Sequence, residues 1–379
     1  MEQREELLGR YKDKLAHGIG PIGAAFCCVA WRLEQVNLIS QMDEETVTAA
    51  FLGGVTSAFP LCSLVFGSGS DQPVECSWGQ FHKSAKGSSD EDSEAHRGAD
   101  FALVVWLTNE YARVAVFQAK KMEMRGLRRA LAEVLESDEV PPANGVTPVE
   151  TLPPVPEGKA YLNVHRRPTR NEKHTEEWRE AQMVRLVRTG HEVIEAAKLK
   201  AQDDQQWAKN ARDFAQKKDF VKDGGTSLLA RLHWIHYLGY LDDEAICVPL
   251  SSMSKHVLDK ELKNESFTVN AVEVKQGMQG VKPFVDLMVD GIASVSPSGE
   301  LQDDVPGWKL MHADIVKAIL PDLQSMMAVY IADDRGTMGP ALRTEMSAGS
   351  TYNSVDVMAP PFSEIAPFNK PHSTMKSGM

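Results

Sequence analysis

Three polar residues, Asp100, Gln118 and Lys120, border two apolar runs in the first third of the chain. Carboxylate and carboxamide oxygens are ligands that suit hard divalent cations such as Mg²⁺ and Mn²⁺. A lysine beside such an ion can orient or deprotonate a water molecule, and it can offset the charge of a pentacoordinate phosphate. Together these residue types indicate metal-assisted hydrolysis of a phosphodiester.

A β-hairpin is the element that would bring the three side chains together. Two runs of apolar, β-branched and aromatic residues flank a polar turn at 108–110, a pattern typical of a hairpin. With the turn centred on Asn109 and Glu110, Asp100 is expected opposite Ala119. Because side chains alternate between the faces of a strand, Gln118 and Lys120 share one face. Depending on the exact register and on any bulge, Asp100 lies beside both of them.

Glu44 and Glu45 are available as the second carboxylate of such a site. Asp43 has the residue type of a helix N-cap, and glutamates are favoured in the first turn of a helix. Apolar residues then follow at helical spacing until Pro60, where the helix is expected to end. The sequence leaves open which of the two glutamates completes the site.

The order of these residues resembles the PD-(D/E)XK nuclease superfamily. A glutamate lies on an early helix, Asp100 starts a strand, and Gln118-Ala119-Lys120 ends the next strand. The sequence is more narrowly similar to the branch seen in type IV restriction endonuclease-like proteins, where glutamine replaces the last acid (Q-x-K). The similarity covers residues 40–121 and extends to the helix and strand expected at 226–250. It departs from the family pattern because no proline precedes Asp100 and because two glutamates compete for the first position.

The resemblance implies an α/β fold with a mixed central sheet flanked by helices (a restriction-endonuclease-like core) and a helical insertion. It also implies a Mg²⁺- or Mn²⁺-dependent endonuclease that hydrolyses DNA, acts in defence against foreign DNA and forms a homodimer, since one such site cuts one strand. The implied catalytic residues are Glu44, Glu45, Asp100, Gln118 and Lys120, and the implied metal ligands are Asp100, Gln118 and Glu45, with Glu44 as the alternative to Glu45.

The net charge argues against DNA as a partner, whereas the distribution of charge along the chain favours it. The formal net charge is −12, whereas nucleic-acid-binding chains usually have a basic excess. Two stretches, 113–129 and 165–173, are basic against this background, and the first directly overlaps the hairpin. Cations next to a metal site suit a phosphate backbone, so we expect DNA contacts from Lys121, Arg125, Arg128 and Arg129.

Composition excludes several other classes of protein. No stretch approaches the ~20 uninterrupted apolar residues that span a bilayer, so no membrane association is expected. The charged start of the chain lacks an apolar signal segment, which favours a cytoplasmic location. The five cysteines form no CxxC pair, which argues against structural zinc. A GxGxxG match at 18–23 follows a charged helix rather than a strand and does not predict dinucleotide binding.

Four segments are expected along the chain: 1–125 with the site motifs, 126–225 as a proline-rich linker and helical insertion, 226–342 as the rest of the core or a C-terminal subdomain, and 343–379 as a poorly ordered tail. The expected strands are 74–78, 101–107, 113–118, 245–250, 267–274, 284–295 and 327–332, and the expected later helices are 226–240 and 313–323. The histidines at 233 and 236 are interpreted as core residues rather than metal ligands.

Two alternative functions remain open from the sequence. One is a catalytically inert relative that binds nucleic acid through the same basic residues. A test of metal binding distinguishes it from the nuclease. The other is a non-enzymatic interaction protein whose working surface is the charged helices of 172–221. Salt-dependent affinity for DNA separates that alternative from the nuclease.

Overall fold

The computed structural model describes most of the chain between residues 20 and 328. The described ranges are 20–66, 75–81, 94–125, 159–164, 181–217, 226–241, 244–263, 271–274, 278–293, 305–320 and 324–328. They all belong to one compact unit, Met1–Gly339, and the second unit, Pro340–Met379, lies outside the described residues together with the expected tail.

Ten strands of the described residues form one mixed sheet. They are β1 (Glu75–Gln80), β2 (Phe101–Trp106), β3 (Tyr111–Arg125), β4 (Lys159–Asn163), β5 (Ile235–Leu241), β6 (Glu244–Pro249), β7 (Ala271–Val274), β8 (Lys282–Pro283), β9 (Lys309–His312) and β10 (Gln324–Ala328). The main order is β10-β1-β2-β3-β5-β6-β8, while β4 and β9 also pair with β3 and β7 pairs with β4. The β3–β5 ladder is parallel, whereas the other described ladders are antiparallel.

Helices are interspersed with these strands along the chain. The α-helices of the described residues are α1 (Gly20–Gln35), α2 (Leu38–Gln41), α3 (Glu44–Phe66), α4 (Glu94–Arg97), α5 (Gln182–Ala201), α6 (Trp207–Ala215), α7 (Thr226–Ala230), α8 (Lys255–Lys263), α9 (Phe284–Ala293) and α10 (Ala313–Ile319), and a 3₁₀ turn (Leu250–Ser252) follows β6.

The two faces of the sheet are covered by different helices. On one face α1, α3 and α9 pack against side chains such as Phe117, whose ring centroid lies 5.3 Å from that of Phe284. On the other face α5 approaches closely at Gly190, where an added Cβ would lie 2.8 Å from a methyl carbon of Ile235. Helices on both faces explain why every residue of β2 is buried. The predicted α/β class, a mixed sheet flanked by helices, is confirmed.

Several expected elements are present close to their predicted places. The hairpin strands are β2 and β3, although β3 runs on to Arg125, well beyond the predicted end. Asp43 caps α3, because its Oδ1 accepts a hydrogen bond from the backbone N–H of Thr46 at 2.8 Å. Pro60 does not end this helix as expected, since α3 continues to Phe66 with the proline inside it.

Two expected elements have the opposite secondary structure. The apolar run 226–240 was expected to be one helix, but α7 ends at Ala230 and β5 follows from Ile235. The segment 284–295 was expected to be a strand and instead forms α9. Both segments are apolar over a short length, so periodicity alone does not distinguish a buried strand from a buried helix.

The segment 126–225, expected as an insertion, contributes both a strand and a helix to the packed structure. Its strand β4 pairs with the end of β3 on one side and with β7 on the other. Its helix α5 is buried over most of its first three turns and covers one face of the sheet. None of the helices in the described ranges is both long enough and apolar enough to cross a bilayer.

Candidate active site

Asp100 and Gln118 meet at the open end of the β2–β3 pair. The last strand pair is Phe101 with Phe117, so Asp100 faces Gln118, one residue away from the predicted partner Ala119. The Gln118 Nε2 donates a hydrogen bond of 2.7 Å to Asp100 Oδ2, and the backbone N–H of Ala119 donates another of 2.7 Å to the same oxygen. The aspartate is therefore held by one side-chain donor and one main-chain donor of β3.

Glu44 approaches the same edge of β3 from the first turn of α3. Its Oε2 accepts a hydrogen bond of 3.1 Å from the backbone N–H of Lys121. The N–H groups of Ala119 and Lys121 are alternate groups on one edge of β3, about 7 Å apart along the strand. The carboxylates of Asp100 and Glu44 consequently lie side by side along that edge.

Lys120 places an ammonium group against the Glu44 carboxylate. Its Nζ lies 3.3 Å from Glu44 Oε1, and its side chain is only 16% exposed. Four of the predicted site residues thus form two contacting pairs on β3, Asp100 with Gln118 and Glu44 with Lys120. Glu45 is the next residue of α3, about 100° further round the helix, and it is exposed.

The structure describes only some of the basic residues that were predicted to contact DNA. Lys121 is on the opposite face of β3 from Lys120, and its Nζ donates a hydrogen bond of 3.0 Å to the carbonyl oxygen of Ser40. Arg125 is the last residue of β3, and its side chain is outside the described part. Arg128 and Arg129 lie outside the described residues as well.

A buried ion pair anchors the segment that leads into Asp100. Arg97 Nη1 lies 2.6 Å from Glu192 Oε2 on α5, and both side chains are almost fully buried. Thr189 Oγ1 also donates to the Arg97 carbonyl oxygen at 3.1 Å. Between Arg97 and Asp100, Gly98 has φ +74 and lies so close to α5 that a Cβ would approach the Gln182 carbonyl oxygen to 2.7 Å.

This support was not identified from the sequence, although one signal was available. Gly98 lies two residues before the candidate Asp100, and glycine is the residue that left-handed or closely packed backbone positions favour. The partners of Arg97 and Gly98 are more than eighty residues away along the chain, on α5. Sequence spacing does not indicate such a contact.

The residues present fit a hard divalent cation. The carboxylates of Glu44 and Asp100 and the carboxamide of Gln118 form an all-oxygen set of the kind that Mg²⁺ and Mn²⁺ accept. Gln118 is fully buried, and its Oε1 has no hydrogen-bond partner while its Nε2 holds Asp100. A buried amide oxygen of this kind usually has a partner, and a cation would supply one. Within the described ranges there is no group of three or more His, Cys, Asp or Glu side chains suited to a metal, so a site here would depend on the glutamine.

A separate cleft lies at the opposite end of β3. Its volume is about 670 Å³, and its lining includes Tyr111, Lys200, His233 and His312. Tyr111 and Gln118 are seven residues apart on an extended strand, roughly 24 Å. The cleft and the cluster formed by Glu44, Asp100, Gln118 and Lys120 are therefore distinct features.

Searches against protein-family models, curated proteins and solved structures yield no match for this chain. The interpretation of the site consequently depends on its own geometry.

Proposed function

We propose that the protein is a metal-dependent endonuclease that hydrolyses phosphodiester bonds of DNA. The observation that supports this proposal best is the placement of the Asp100 and Glu44 carboxylates on alternate N–H groups of one edge of β3, with the Lys120 ammonium group against Glu44. Two carboxylates with a neighbouring ammonium group suit a metal and a phosphate, whereas a solvated hairpin end has no need for this arrangement.

Each residue has a definite role in this proposal. Glu44, Asp100 and the Gln118 carboxamide would hold Mg²⁺ or Mn²⁺, and the ion when bound would supply a Lewis acid for a phosphoryl oxygen. Gln118 also keeps the Asp100 carboxylate in place through Nε2. Lys120, once the substrate displaces its contact with Glu44, would orient the attacking water and offset the charge that develops on the phosphate.

The substrate and setting of the enzyme are part of the same proposal. Lys121, Arg125, Arg128 and Arg129 would contact the DNA backbone, because they follow the site directly along the chain. The resemblance to the Q-x-K branch of PD-(D/E)XK nucleases supports action on foreign DNA, and a cytoplasmic location is part of the same proposal. The resemblance also supports a homodimer, in which each of two sites cuts one strand.

Plasmid cleavage with and without Mg²⁺ or Mn²⁺ tests the proposal. We expect metal-dependent cutting by the wild type and a loss of about 10²–10³-fold in rate for Lys120→Ala, as for removal of other positioned electrostatic groups. Lys121→Ala is the matched control, since its ammonium donates to Ser40 instead of facing Glu44. It is expected to change DNA affinity more than the rate at saturating DNA.

The outcome distinguishes the nuclease from its alternatives. DNA binding without cleavage in either metal would overturn the enzymatic proposal and favour the inert relative. An absence of salt-dependent DNA affinity would overturn both and favour the interaction protein. Equal rates for wild type and Lys120→Ala would remove Lys120 from the mechanism.

A further inference from the structure

A buried tyrosine lies behind the candidate site, on the strand next to β3. Tyr240 of β5 is 2% exposed, and its ring belongs to the apolar layer beneath α1 and α3. Its hydroxyl lies 2.8 Å from Thr48 Oγ1, one turn after Glu44 in α3. A buried phenol in apolar surroundings needs a hydrogen-bond partner, and here that partner belongs to the helix that presents Glu44.

The direction of the hydrogen bonds follows from the number of protons. Thr48 Oγ1 donates to the carbonyl oxygen of Glu44 at 2.7 Å. A threonine hydroxyl has a single proton, so its bond to Tyr240 must be one in which the phenol donates. The chain of donors therefore runs from Tyr240 to Thr48 and then to the main chain of Glu44.

This chain differs from an ordinary threonine contact within a helix. Threonine commonly donates to the carbonyl four residues earlier, and on its own that bond has no consequence beyond the helix. Tyr240 connects Thr48 to the sheet, because Tyr240 itself pairs with Lys121 of β3. The Lys121 N–H in turn donates to the Glu44 carboxylate. Glu44 is thus fixed at two points. Its main chain is held through Thr48 by Tyr240 of β5, and its side chain is held by the Lys121 N–H of β3.

We propose that Tyr240 is a positioning residue for the candidate site, acting through Thr48 to hold Glu44 beside Asp100. The proposal rests on the proposed function, in which Glu44 is a metal ligand. Groups that orient metal ligands typically change metal affinity about 10–100-fold when they are removed.

The protonation of Tyr240 supports its role as a donor. Burial raises the pKa of the phenol well above its ordinary value, and the nearby carboxylates of Asp100 and Glu44 raise it further, while the bond to Thr48 opposes the shift in part. The hydroxyl accordingly keeps its proton throughout the neutral and mildly alkaline range. The hydrogen bond to Thr48 is available at any pH where DNA cleavage would be assayed.

Calorimetric titration of the metal-free full chain with Mn²⁺ tests the proposal without reference to cleavage. Tyr240→Phe is expected to weaken Mn²⁺ binding about 10-fold or more. Tyr237→Phe is the matched control, because Tyr237 is a fully buried tyrosine of the same strand, on the opposite face. Tyr237→Phe should bind Mn²⁺ like the wild type even if its melting temperature falls as far as that of Tyr240→Phe.

Substitutions at Thr48 keep the proposal falsifiable if Tyr240→Phe fails to fold. Thr48→Val removes the hydroxyl at nearly constant volume and should weaken Mn²⁺ binding, whereas Thr48→Ser retains the hydroxyl and should restore it. Asp100→Asn completes the set, because it removes a proposed ligand directly. In cleavage assays Tyr240→Phe should raise the Mg²⁺ concentration for half-maximal rate more than it lowers the rate at saturating Mg²⁺.

The result separates the two proposals. Wild-type protein that does not bind Mn²⁺ would overturn the proposed function and this inference together. Binding by the wild type that is lost in Asp100→Asn but unchanged in Tyr240→Phe and Thr48→Val would leave the function standing and overturn the positioning role alone.

Discussion

The two adjacent glutamates at the start of α3 differ at the scale of single residues. Glu44 is half-buried and its carboxylate accepts from the Lys121 N–H, while Glu45 is exposed about 100° further round the helix. Conversion of a ligand carboxylate to an amide preserves its size and removes its charge. The pair therefore provides a matched test of which glutamate serves the site.

Glu44→Gln should lower the cleavage rate by at least about 10²-fold, comparable to loss of a positioned catalytic group. Glu45→Gln should leave the rate within a few-fold of the wild type. Plasmid cleavage as a function of Mn²⁺ concentration measures both. A larger loss in Glu45→Gln than in Glu44→Gln would reverse the assignment.

Gln118 is the residue at which the site differs from an acid-x-Lys site. Its Nε2 lies 2.7 Å from the Asp100 carboxylate, and the residue is fully buried. In Gln118→Glu a second carboxylate would face Asp100 at this distance, a repulsion on the order of several kcal/mol even at an effective dielectric near 20. A bound divalent cation would offset that repulsion.

We therefore expect Gln118→Glu to melt at a lower temperature than the wild type without metal and to gain more from added Mn²⁺. Its cleavage should persist and should need less Mg²⁺ for half-maximal rate. Thermal unfolding with and without Mn²⁺ measures the first effect. Equal metal-induced shifts in both proteins would show that residue 118 does not contact the ion.

At the scale of elements, the turn between α4 and β2 determines where Asp100 lies. Gly98 has a left-handed backbone conformation, and the main chain of α5 lies directly over it. A side chain at residue 98 would be destabilising for two reasons. The backbone φ is unfavourable for residues other than glycine, and the added Cβ would clash with the main chain of α5. The expected response is a displacement of β2 relative to α5.

Gly98→Ala should destabilise the protein by about 1–3 kcal/mol, the usual cost of a strained backbone position. Gly53→Ala is the matched control, because Gly53 is helical, exposed and has no atom within 4 Å of an added Cβ. It should stabilise the protein by about 0.5–1 kcal/mol through helix propensity. Urea unfolding of both variants checks the signs, and a neutral Gly98→Ala would contradict the described turn.

At the scale of the whole molecule, a buried histidine couples stability to pH. The ring of His236 stacks on that of Phe117 at 5.4 Å, and its Nε2 donates to the carbonyl oxygen of Gly307 at 2.9 Å. Burial lowers the pKa of His236 from 6.5 to about 4, and nearby His233 and Lys282 act in the same direction while the Gly307 bond opposes them. The folded state therefore holds the ring neutral between these two values, whereas the unfolded chain protonates it.

The stability linked to His236 is complete above about pH 6.5 and is lost as the pH falls towards 4, because the unfolded state then binds the extra proton. The full effect is roughly 3 kcal/mol. His236→Gln retains a donor towards Gly307 and does not titrate. Between about pH 7 and pH 4, its free energy of unfolding should fall less than that of the wild type by this amount. Parallel pH profiles would refute the coupling.

The secondary structure that the sequence predicted correctly is local in origin. The hairpin follows from β-branched and aromatic runs around a polar turn, and the N-cap of α3 follows from Asp43 ahead of two glutamates. Residues 235–241 and 284–293 were assigned the wrong structure because both are apolar on more than one face. Their state depends on neighbours, since β5 pairs with β3 and β6 whereas α9 packs across the apolar layer.

The sequence by itself predicted that a carboxylate, a carboxamide and an ammonium group lie at one end of a hairpin, because a short turn brings the outer ends of the two strands together. It did not determine that Asp100 faces Gln118, which depends on a one-residue register decided by the packed sheet. Tertiary structure alone selected Glu44 over Glu45 as the carboxylate that meets β3, because the rotation of α3 is set by its buried face. The support from Arg97–Glu192 and from Tyr240–Thr48 joins residues about 95 and 190 positions apart. Contacts at such separations arise only when distant elements pack, so no local pattern encodes them.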